Sequence, residues 1–349
     1  MMGFAALNPS YALAIMSIVM SRRAILSALI AIFATATAAA PVEQQVTFTG
    51  AGGITLAGTL VLPETANADR PVPALLLIQG SGPSDRDGNQ LPRLRTDILR
   101  QIAELLAEQN IASLRYDKRG MHENRHTLPK RQDELSDFFS WSAFVYDAHA
   151  AFAFLTTYPG IASDRVGVFG HSEGGLLALD FANQYRPQPK LLILASTPGR
   201  PLGEVIHDQL SALLEQQRAT AEQRQFFLDA DRQIRSDILE TGKVPQDVPP
   251  GLAALYPTYL GQFLKSELAL NPVALATKFE APILVINGTA DTQVLAAQDA
   301  AHFSSALPNR KDGSEVFTPP AVSHNLKTVA GALDGTVRAT ILRWLKMAL

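Results

Sequence analysis

The sequence predicts an α/β protein with a mostly parallel central sheet, helices on both of its faces and an inserted block of helices. Two observations carry this prediction. Short apolar runs alternate with helical segments along most of the chain, as in strand–helix–strand crossover units. Several of those runs are apolar at every position, which is typical of parallel strands buried on both faces. At 349 residues and 47% hydrophobic content, the chain is large enough to bury such a core.

The strands form a series that begins with an antiparallel edge. The first two are joined by a glycine-rich turn and are predicted to pair as a hairpin. The strands that follow are separated by helices or loops long enough for parallel crossovers. The predicted strands cover residues 45–48, 54–62, 73–79, 111–116, 165–169, 190–195, 282–287 and 314–317.

Helices are predicted where apolar residues recur at helical spacing, at 92–109, 137–158 and 327–347. Between residues 199 and 272 the alternation of strands and helices stops. Only helical segments occur there, separated by prolines, at 202–230, 232–241 and 252–268. We therefore expect an α/β core at 39–199 and 272–349 with a helical cap inserted at 200–271. The alternative is that these are three ordinary surface helices.

The N-terminal segment has the pattern of a secretory signal peptide. Arg22 and Arg23 precede an apolar run at 24–33, and alanine-rich small residues follow. Cleavage after Ala38 would make residues 1–38 the signal peptide and the mature protein periplasmic or secreted. Met20 is an alternative start of translation, and a retained membrane anchor is the alternative to cleavage. The two arginines interrupt the apolar stretch, so neither half reaches the length of a membrane span.

Composition excludes several classes of function. The chain has no cysteine, so disulfides, thiolate catalysis and cysteine metal sites are absent. Its formal net charge is −3, and the charges are mixed along the chain without a basic face. We therefore expect no nucleic-acid partner and, after signal cleavage, no stable membrane insertion.

The strongest candidate nucleophile is Ser172. It lies in a Gly-x-Ser-x-Gly pattern, with an apolar strand before it and a helix directly after it. This context is typical of a nucleophile elbow, a turn so tight that the serine is strained and its hydroxyl projects from the chain. A side chain at Gly170 or Gly174 would collide with the neighbouring strand or helix. The alternative is a glycine-rich turn that carries an ordinary serine.

An acid and a base are expected in loops at the carboxyl ends of later strands, in the chain order serine, acid, histidine. Asp291 follows the 282–287 strand, and His324 follows the 314–317 strand. Asp291 is also placed to cap a helix that begins near residue 292. The competing residues lie in helices or charged turns and are less suitable: Asp299, His302, Asp312 and Asp334.

Two backbone N–H groups are needed to stabilise an oxyanion. Glu173, which follows the nucleophile, is predicted to supply one. The second is expected from the loop after the 73–79 strand, at Ser81 or, next in preference, Gly82, because small residues allow the backbone to approach a reaction centre closely. The alternative is a flexible turn of small and acidic residues.

For two polar segments we expect a structural role and not a catalytic or metal-binding one. Residues 122–126 match the His-Glu-x-x-His pattern of zinc proteases, but their flanks are polar and lack an apolar helical stripe, so we expect a solvated loop and no metal site. Asp117, Lys118 and Arg119 follow a strand. We expect them to form local ion pairs that hold a loop, although Asp117 could instead face the active site.

Five segments occur in a characteristic order, at residues 80–88, 115–120, 170–175, 288–291 and 323–325. Together they resemble the α/β-hydrolase superfamily and, more narrowly, exported bacterial serine esterases of the dienelactone-hydrolase and prolyl-oligopeptidase-like branch. The resemblance implies an α/β-hydrolase fold, a triad of Ser172, Asp291 and His324, and hydrolysis of carboxylic esters. Relatives often follow Arg-Gly with a Gly-x-Ser turn, whereas this chain has Met121-His122-Glu123.

The predicted function is therefore that of a serine esterase that works through an acyl-enzyme on a small-molecule ester, with no cofactor. One alternative is a small aminopeptidase-like enzyme with the same triad, and another is a non-catalytic exported binding protein. Apolar cap residues are expected to line an acyl pocket or, alternatively, to form the core of the cap: Leu213, Phe226, Phe227, Tyr256, Tyr259 and Phe263.

Overall fold

The computed structural model of the protein describes residues 42–307, 311–328 and 331–349. The predicted signal peptide at 1–38 lies outside the described residues. Eight strands form one sheet in the order β1-β2-β4-β3-β5-β6-β7-β8. They are β1 (Val42–Thr49), β2 (Thr55–Leu62), β3 (Val72–Ile78), β4 (Ala112–Tyr116), β5 (Ile161–His171), β6 (Leu192–Ala195), β7 (Ile283–Ile286) and β8 (Glu315–Phe317).

The sheet has the predicted arrangement, an antiparallel edge on a parallel core. Strand β1 pairs with β2, and β2 with β4, in antiparallel fashion. All pairs from β4 through β3 to β8 are parallel. The carboxyl ends of β5, β7 and β8 therefore meet at one edge of the sheet, which is where the loops of α/β enzymes gather their functional residues.

Ten α-helices accompany these strands in the described part of the chain. They are α1 (Ile98–Ala107), α2 (Leu135–Phe138), α3 (Trp141–Thr157), α4 (Glu173–Gln184), α5 (Leu202–Gln216), α6 (Ala221–Thr241), α7 (Gly261–Leu268), α8 (Pro272–Lys278), α9 (Ala296–Ala306) and α10 (Gly335–Ala348). Within the described ranges, none of them is both long and apolar enough to cross a membrane.

Two apolar clusters lie on opposite faces of the sheet, because successive side chains of a strand point to opposite faces. Leu76 of β3 packs on one face with residues of α3 and α4, among them the fully buried ring of Phe152. Leu75 packs on the other face with α1 and α10, including Ile98 and Trp344. The prediction of a sheet covered by helices on both sides is confirmed.

Several helix boundaries differ from the predicted ones, because local caps and turns end the helices. The 92–109 helix begins only at Ile98, since the N–H groups of Thr96 and Asp97 bond to the Asn89 side chain at 2.7 and 2.8 Å. The closing helix begins at Gly335 instead of 327, because Asp334 caps it by accepting the N–H groups of Thr336 and Val337. The 137–158 helix is divided into α2 and α3.

The segment between β6 and β7 contains helices α5 to α8 and, among its described residues, no strand. The predicted single helix at 202–230 is wrong. Arg218 has a φ of 56°, and Thr220 starts α6 with a capping box that includes Gln223. Helix α6 then runs through Arg232 without a break to Gly242. The 252–268 segment contributes one α-helix, α7, preceded by turns and a short 3-10 helix at Thr258–Leu260. That α5 to α7 form a separate cap stays a prediction.

Candidate active site

Ser172 lies at the sharp turn from β5 into α4. Its backbone has φ 55° and ψ −124°, a combination that L-residues rarely adopt and that costs conformational energy. The turn is held because the Ser172 N–H donates to the Ala195 carbonyl at 2.8 Å and its own carbonyl accepts from Gly175 N–H at 3.0 Å. Ser172 is half-buried, while its neighbours in the turn are buried.

Two glycines make this turn possible. A Cβ at Gly170 would lie 2.4 Å from the carbonyl oxygen of Gly174, in the first turn of α4. A Cβ at Gly174 would lie 2.4 Å from the carbonyl oxygen of Ile78, at the end of β3. Both distances are far below van der Waals contact with backbone atoms that cannot move aside. The glycines therefore let α4 start directly against β3 and β5, as the sequence predicted.

Asp291 and His324 are in direct contact. The Nδ1 atom of His324 lies 2.8 Å from Oδ2 of Asp291, whose side chain is fully buried. The other carboxylate oxygen, Oδ1, accepts the N–H groups of Gln293 and Val294 at 2.8 and 3.0 Å. Asp291 therefore orients the imidazole and also holds its own loop. The helix that it was expected to cap begins later, at Ala296.

The loops that carry these two residues are bonded to each other. The N–H groups of Thr289 and Ala290 donate to the carbonyls of Pro319 and Val322 at 3.0 Å each. These backbone bonds between the ends of two neighbouring strands hold Asp291 and His324 close to each other.

His171, which sequence reasoning did not assign a role, connects the elbow to the histidine loop. Its Nε2 atom lies 2.8 Å from the backbone carbonyl of His324, and the two imidazole rings are 5.0 Å apart. A carbonyl only accepts, so Nε2 of His171 carries the proton. Burial, and after it the neighbouring His324, lowers the pKa of His171 to about 4. No pattern in the sequence indicates this contact across 153 positions.

This lowered pKa predicts a specific loss of stability in acid. Between about pH 6.5 and 4 the unfolded chain protonates His171 while the folded protein keeps it neutral, so the free energy of unfolding should fall as the pH drops through this interval. The protonation of His171 is expected to lower the free energy of unfolding by about 3 kcal/mol over the whole interval. Urea unfolding of the wild type and of His171→Gln from pH 7.5 to 4 measures it, and the variant should show the shallower decline.

His302→Gln is the matched control, because His302 is exposed on α9 and its loss should leave the pH dependence unchanged. Equal slopes for the wild type and His171→Gln would contradict the prediction.

The predicted oxyanion loop lies against the elbow. A Cβ at Gly80 would be only 3.1 Å from Cβ of Ser172, so the loop backbone passes beside the nucleophile candidate. The carbonyls of Gly80 and Gly82 accept from Lys118 Nζ at 2.8 and 3.3 Å. The Ser81 carbonyl accepts from the Ser84 hydroxyl at 3.1 Å and from the Gln90 amide at 3.0 Å.

Glu173, the other predicted donor, is the first residue of α4, and the first N–H groups of a helix have no partner within the helix. That Glu173 and Ser81, or Gly82, hold an oxyanion stays a prediction.

The Asp117–Arg119 segment forms ion pairs, but the expectation that they are local is wrong. Each side chain pairs with a residue far along the chain: Asp117 with Arg86, Lys118 with Glu173 and Arg119 with Asp147. The reason is that β4 lies next to β3 in the sheet, so the loop after β4 reaches the loop after β3 and helices α3 and α4. The segment thus fastens the site to the core.

The segment that matches the zinc-protease pattern is a 3-10 helix, His122–Thr127. His122 contacts the Pro83 carbonyl through Nε2 at 2.9 Å, and His126 contacts the Glu123 carbonyl through Nδ1 at 3.0 Å. The two imidazoles point to different backbone partners and both are exposed. Among the described residues, no group of three or more histidine, aspartate and glutamate side chains is arranged to hold a metal ion.

The acids and the histidine that compete with Asp291 and His324 are already bonded to other groups of the protein. Asp299 is fully buried against Arg200, with contacts at 3.1 and 3.2 Å. Asp334 caps α10, and the N–H of Ser314 donates to Asp312 at 3.0 Å. His302 contacts the Gln298 carbonyl of its own helix.

The aromatic residues of the 200–271 segment do not form one pocket. Phe263 packs edge-on against Trp141 and Phe144 of α3, with ring centroids 5.3 and 5.5 Å away. Tyr256 is buried, and its hydroxyl donates to Asp231. Phe226, in contrast, is 58% exposed. Tyr256 is therefore a core residue of this segment, which is the alternative that the sequence left open, and Phe263 belongs to the apolar contact between this segment and α3.

The chain is similar to known proteins in sequence and in fold. A family model described as Serine aminopeptidase, S33, matches residues 96–326. Esterase EstD of Thermotoga maritima is 28% identical over 252 residues, which are 72% of this chain and 52% of that protein. The chain thus spans about half the length of the curated relative it matches.

Two solved structures share the fold at low sequence identity. One is an esterase of Pyrococcus furiosus, with a TM-score of 0.55 and 15% identity, covering 88% of this chain and 91% of that one. The other is a puromycin-hydrolyzing peptidase of Mycobacterium tuberculosis, with a TM-score of 0.55 and 16% identity, covering 88% of this chain and 39% of that one. The predicted α/β-hydrolase fold is confirmed, and the chain belongs to the serine aminopeptidase S33 family of the α/β-hydrolase superfamily.

Proposed function

We propose that this protein hydrolyses carboxylic esters, with Ser172 as nucleophile, His324 as general base and acid, and Asp291 as the residue that orients His324. The observation that carries the proposal is the 2.8 Å contact between His324 Nδ1 and the buried Asp291 carboxylate. The backbone carbonyl of His324 bonds to His171, which directly precedes the strained, half-buried Ser172. Contact with Asp291 keeps the proton of a neutral imidazole on Nδ1, so the lone pair of Nε2 is free to accept a proton.

The reaction proceeds in two halves. Ser172 Oγ attacks the acyl carbon and its proton passes to Nε2 of His324, while the electron pair of the carbonyl bond moves onto the carbonyl oxygen. As that bond re-forms, the ester C–O bond breaks and His324 gives its proton to the departing alcohol. Water then attacks the acyl-enzyme in the same way, and the products are the free acid and the regenerated serine.

The developing negative charge on the carbonyl oxygen needs donors that are already in place. The N–H of Glu173 at the start of α4 and that of Ser81 in the loop after β3 are assigned this role. Both belong to backbone that runs against Ser172, and Gly82 is the next candidate in the same loop.

The choice of ester over peptide substrates is supported by the acids close to the elbow. A substrate amine would need an unpaired carboxylate, but Glu173 already pairs with Lys118 at 2.9 Å. Burial, and after it the Glu173 carboxylate, raises the pKa of Glu267 well above its ordinary value, which favours its neutral form. An aminopeptidase is the second candidate, and the family description supports it.

Labelling and a substrate panel test the proposal together. The purified protein should react covalently with a fluorophosphonate probe, which modifies activated serines. It should also cleave p-nitrophenyl esters from acetate to octanoate with kcat/KM at least about 100-fold above that for aminoacyl p-nitroanilides. A folded protein that takes up no probe would support a non-catalytic binding protein. Preference for the anilides would support the aminopeptidase.

We also propose export to the periplasm or the medium, on the sequence pattern of residues 1–38 alone. Fractionation of the producing cells and N-terminal sequencing of the protein test it. A mature chain that begins at residue 39 is expected, and an intact chain in the cytoplasmic fraction would contradict it.

A further inference from the structure

We propose that Lys118 is a positioning residue that sets the direction of the oxyanion-binding N–H of Ser81. The inference rests on the proposed function and names a residue outside the triad and outside the two N–H donors. Lys118 follows β4, a strand that carries none of the predicted triad residues.

Three contacts define what Lys118 does. Its Nζ donates to the carbonyl of Gly80 at 2.8 Å, to the carbonyl of Gly82 at 3.3 Å and to Oε1 of Glu173 at 2.9 Å. One ammonium group therefore joins the loop after β3 to the first residue of α4. Those two segments carry the two predicted oxyanion donors.

All the donor capacity of Lys118 is used in these contacts. An ammonium has three N–H donors and no acceptor, and the side chain is only 4% exposed. With no donor left over, Lys118 acts on the reaction through the backbone that it holds, which distinguishes a positioning residue from a catalytic one.

The geometry of the peptide bond transmits this contact. The described chain has cis peptide bonds only before Pro92 and Pro187, so the bond between Gly80 and Ser81 is trans. In a trans peptide the C=O and the following N–H point in opposite directions. Lys118 holds the Gly80 carbonyl toward its own ammonium group. The N–H of Ser81, which belongs to the same peptide unit, is therefore directed away from Lys118.

Charge explains why a lysine is stable in this position. Glu173 is almost fully buried, and an isolated buried carboxylate is costly. Lys118 supplies the matching charge, while Glu267, from α7, is held toward its neutral form by burial and by Glu173. The cluster therefore balances one cation against one anion. The face of Phe144, 5.9 Å from Nζ, adds a favourable cation–π contact.

The test compares Lys118→Met with the double variant Lys118→Met/Glu173→Gln. Methionine keeps most of the side-chain volume and removes the donors. The double variant also removes the charge of the Glu173 carboxylate, which the single variant leaves buried and unpaired. Lys265→Met is the matched control, because Lys265 also donates to a backbone carbonyl, that of Glu240 at 3.0 Å, on an exposed surface.

For each variant, kcat and KM are measured on a p-nitrophenyl ester, and inhibition is measured with an alkyl trifluoromethyl ketone. In that adduct a bond forms between Ser172 Oγ and the ketone carbon, the serine proton passes to His324, and the ketone oxygen becomes an oxyanion. Thermal unfolding by circular dichroism establishes that each variant is folded.

We expect kcat and the affinity for the trifluoromethyl ketone to fall together by about 10- to 100-fold in both Lys118 variants, with KM changed by less than about threefold. A merely structural role would lower the unfolding temperature without this parallel loss. Lys265→Met should match the wild type in all three measurements.

Folded Lys118 variants that bind the ketone as tightly as the wild type would overturn the inference and leave the proposed function intact. A wild-type protein that neither reacts with fluorophosphonate nor binds the ketone would overturn the proposed function, and the inference with it. The two failures are therefore distinguishable by the wild type alone.

Discussion

Replacement of Ser172 by alanine is expected to lower kcat for ester hydrolysis by about 10⁴- to 10⁶-fold and to abolish labelling by fluorophosphonate. The change removes the only atom that would bond to the acyl carbon, while the backbone of the elbow stays in place. Its strained φ of 55° is as accessible to alanine as to serine, so the unfolding temperature should change little. Initial rates with a p-nitrophenyl ester and gel-based labelling measure the effect.

Ser196→Ala is a suitable control. Ser196 also has a positive φ, 49°, and it follows the neighbouring strand β6 at the same edge of the sheet. Its hydroxyl is buried and has no hydrogen-bond partner among the residues that the structure describes, so its removal should leave kcat within about threefold of the wild type. Residual labelling of folded Ser172→Ala at the wild-type rate would assign the nucleophile to another residue.

Replacement of Asp291 by asparagine is expected to lower kcat by about 10⁴-fold. The shape of the side chain is kept, but an amide nitrogen that faces Nδ1 donates a hydrogen bond instead of accepting one. The imidazole then carries its proton on Nε2, where it cannot accept the proton of Ser172. The substitution also removes the negative charge that stabilises the imidazolium formed during the reaction.

Asp334→Asn provides the matched control for that substitution. Asp334 accepts two backbone N–H groups, those of Thr336 and Val337, as Asp291 accepts those of Gln293 and Val294. Asparagine is an equally good helix cap, so this variant should retain full activity. Equal and small losses in both variants would show that Asp291 holds only its loop.

Much of the candidate site could be predicted because its residues lie directly after strands. The alternation of strands and helices located the ends of β5, β7 and β8, and the parallel sheet brings those ends to one edge. On that ground the sequence favours Asp291 over three other acids and His324 over one other histidine, and the structure brings these two into contact. Asp299 and His302, which lie within a helix, are held elsewhere by Arg200 and by the helix backbone.

Helix boundaries were predicted less well, because they depend on individual side chains and not on apolar periodicity. The turn around Asn89 moves the start of α1 to Ile98. Arg218, with its left-handed backbone conformation, separates α5 from α6. Between Leu214 and Phe226 the only apolar residues are Ala219 and Ala221, so apolar periodicity could not locate the break. Only the cap at Thr220, paired with Gln223, marks the new start in the sequence.

Short-range patterns of apolar residues and turns were enough to predict the fold class, the succession of strands along the chain and the places where chemistry-bearing side chains leave the sheet. Which distant groups meet follows only from the three-dimensional arrangement. His171 reaches the His324 backbone, and Lys118 reaches both Gly80 and Glu173, across gaps of 153, 38 and 55 positions. Such contacts depend on how the strands are ordered in space and on burial, which strengthens a few polar contacts that solvent would otherwise replace.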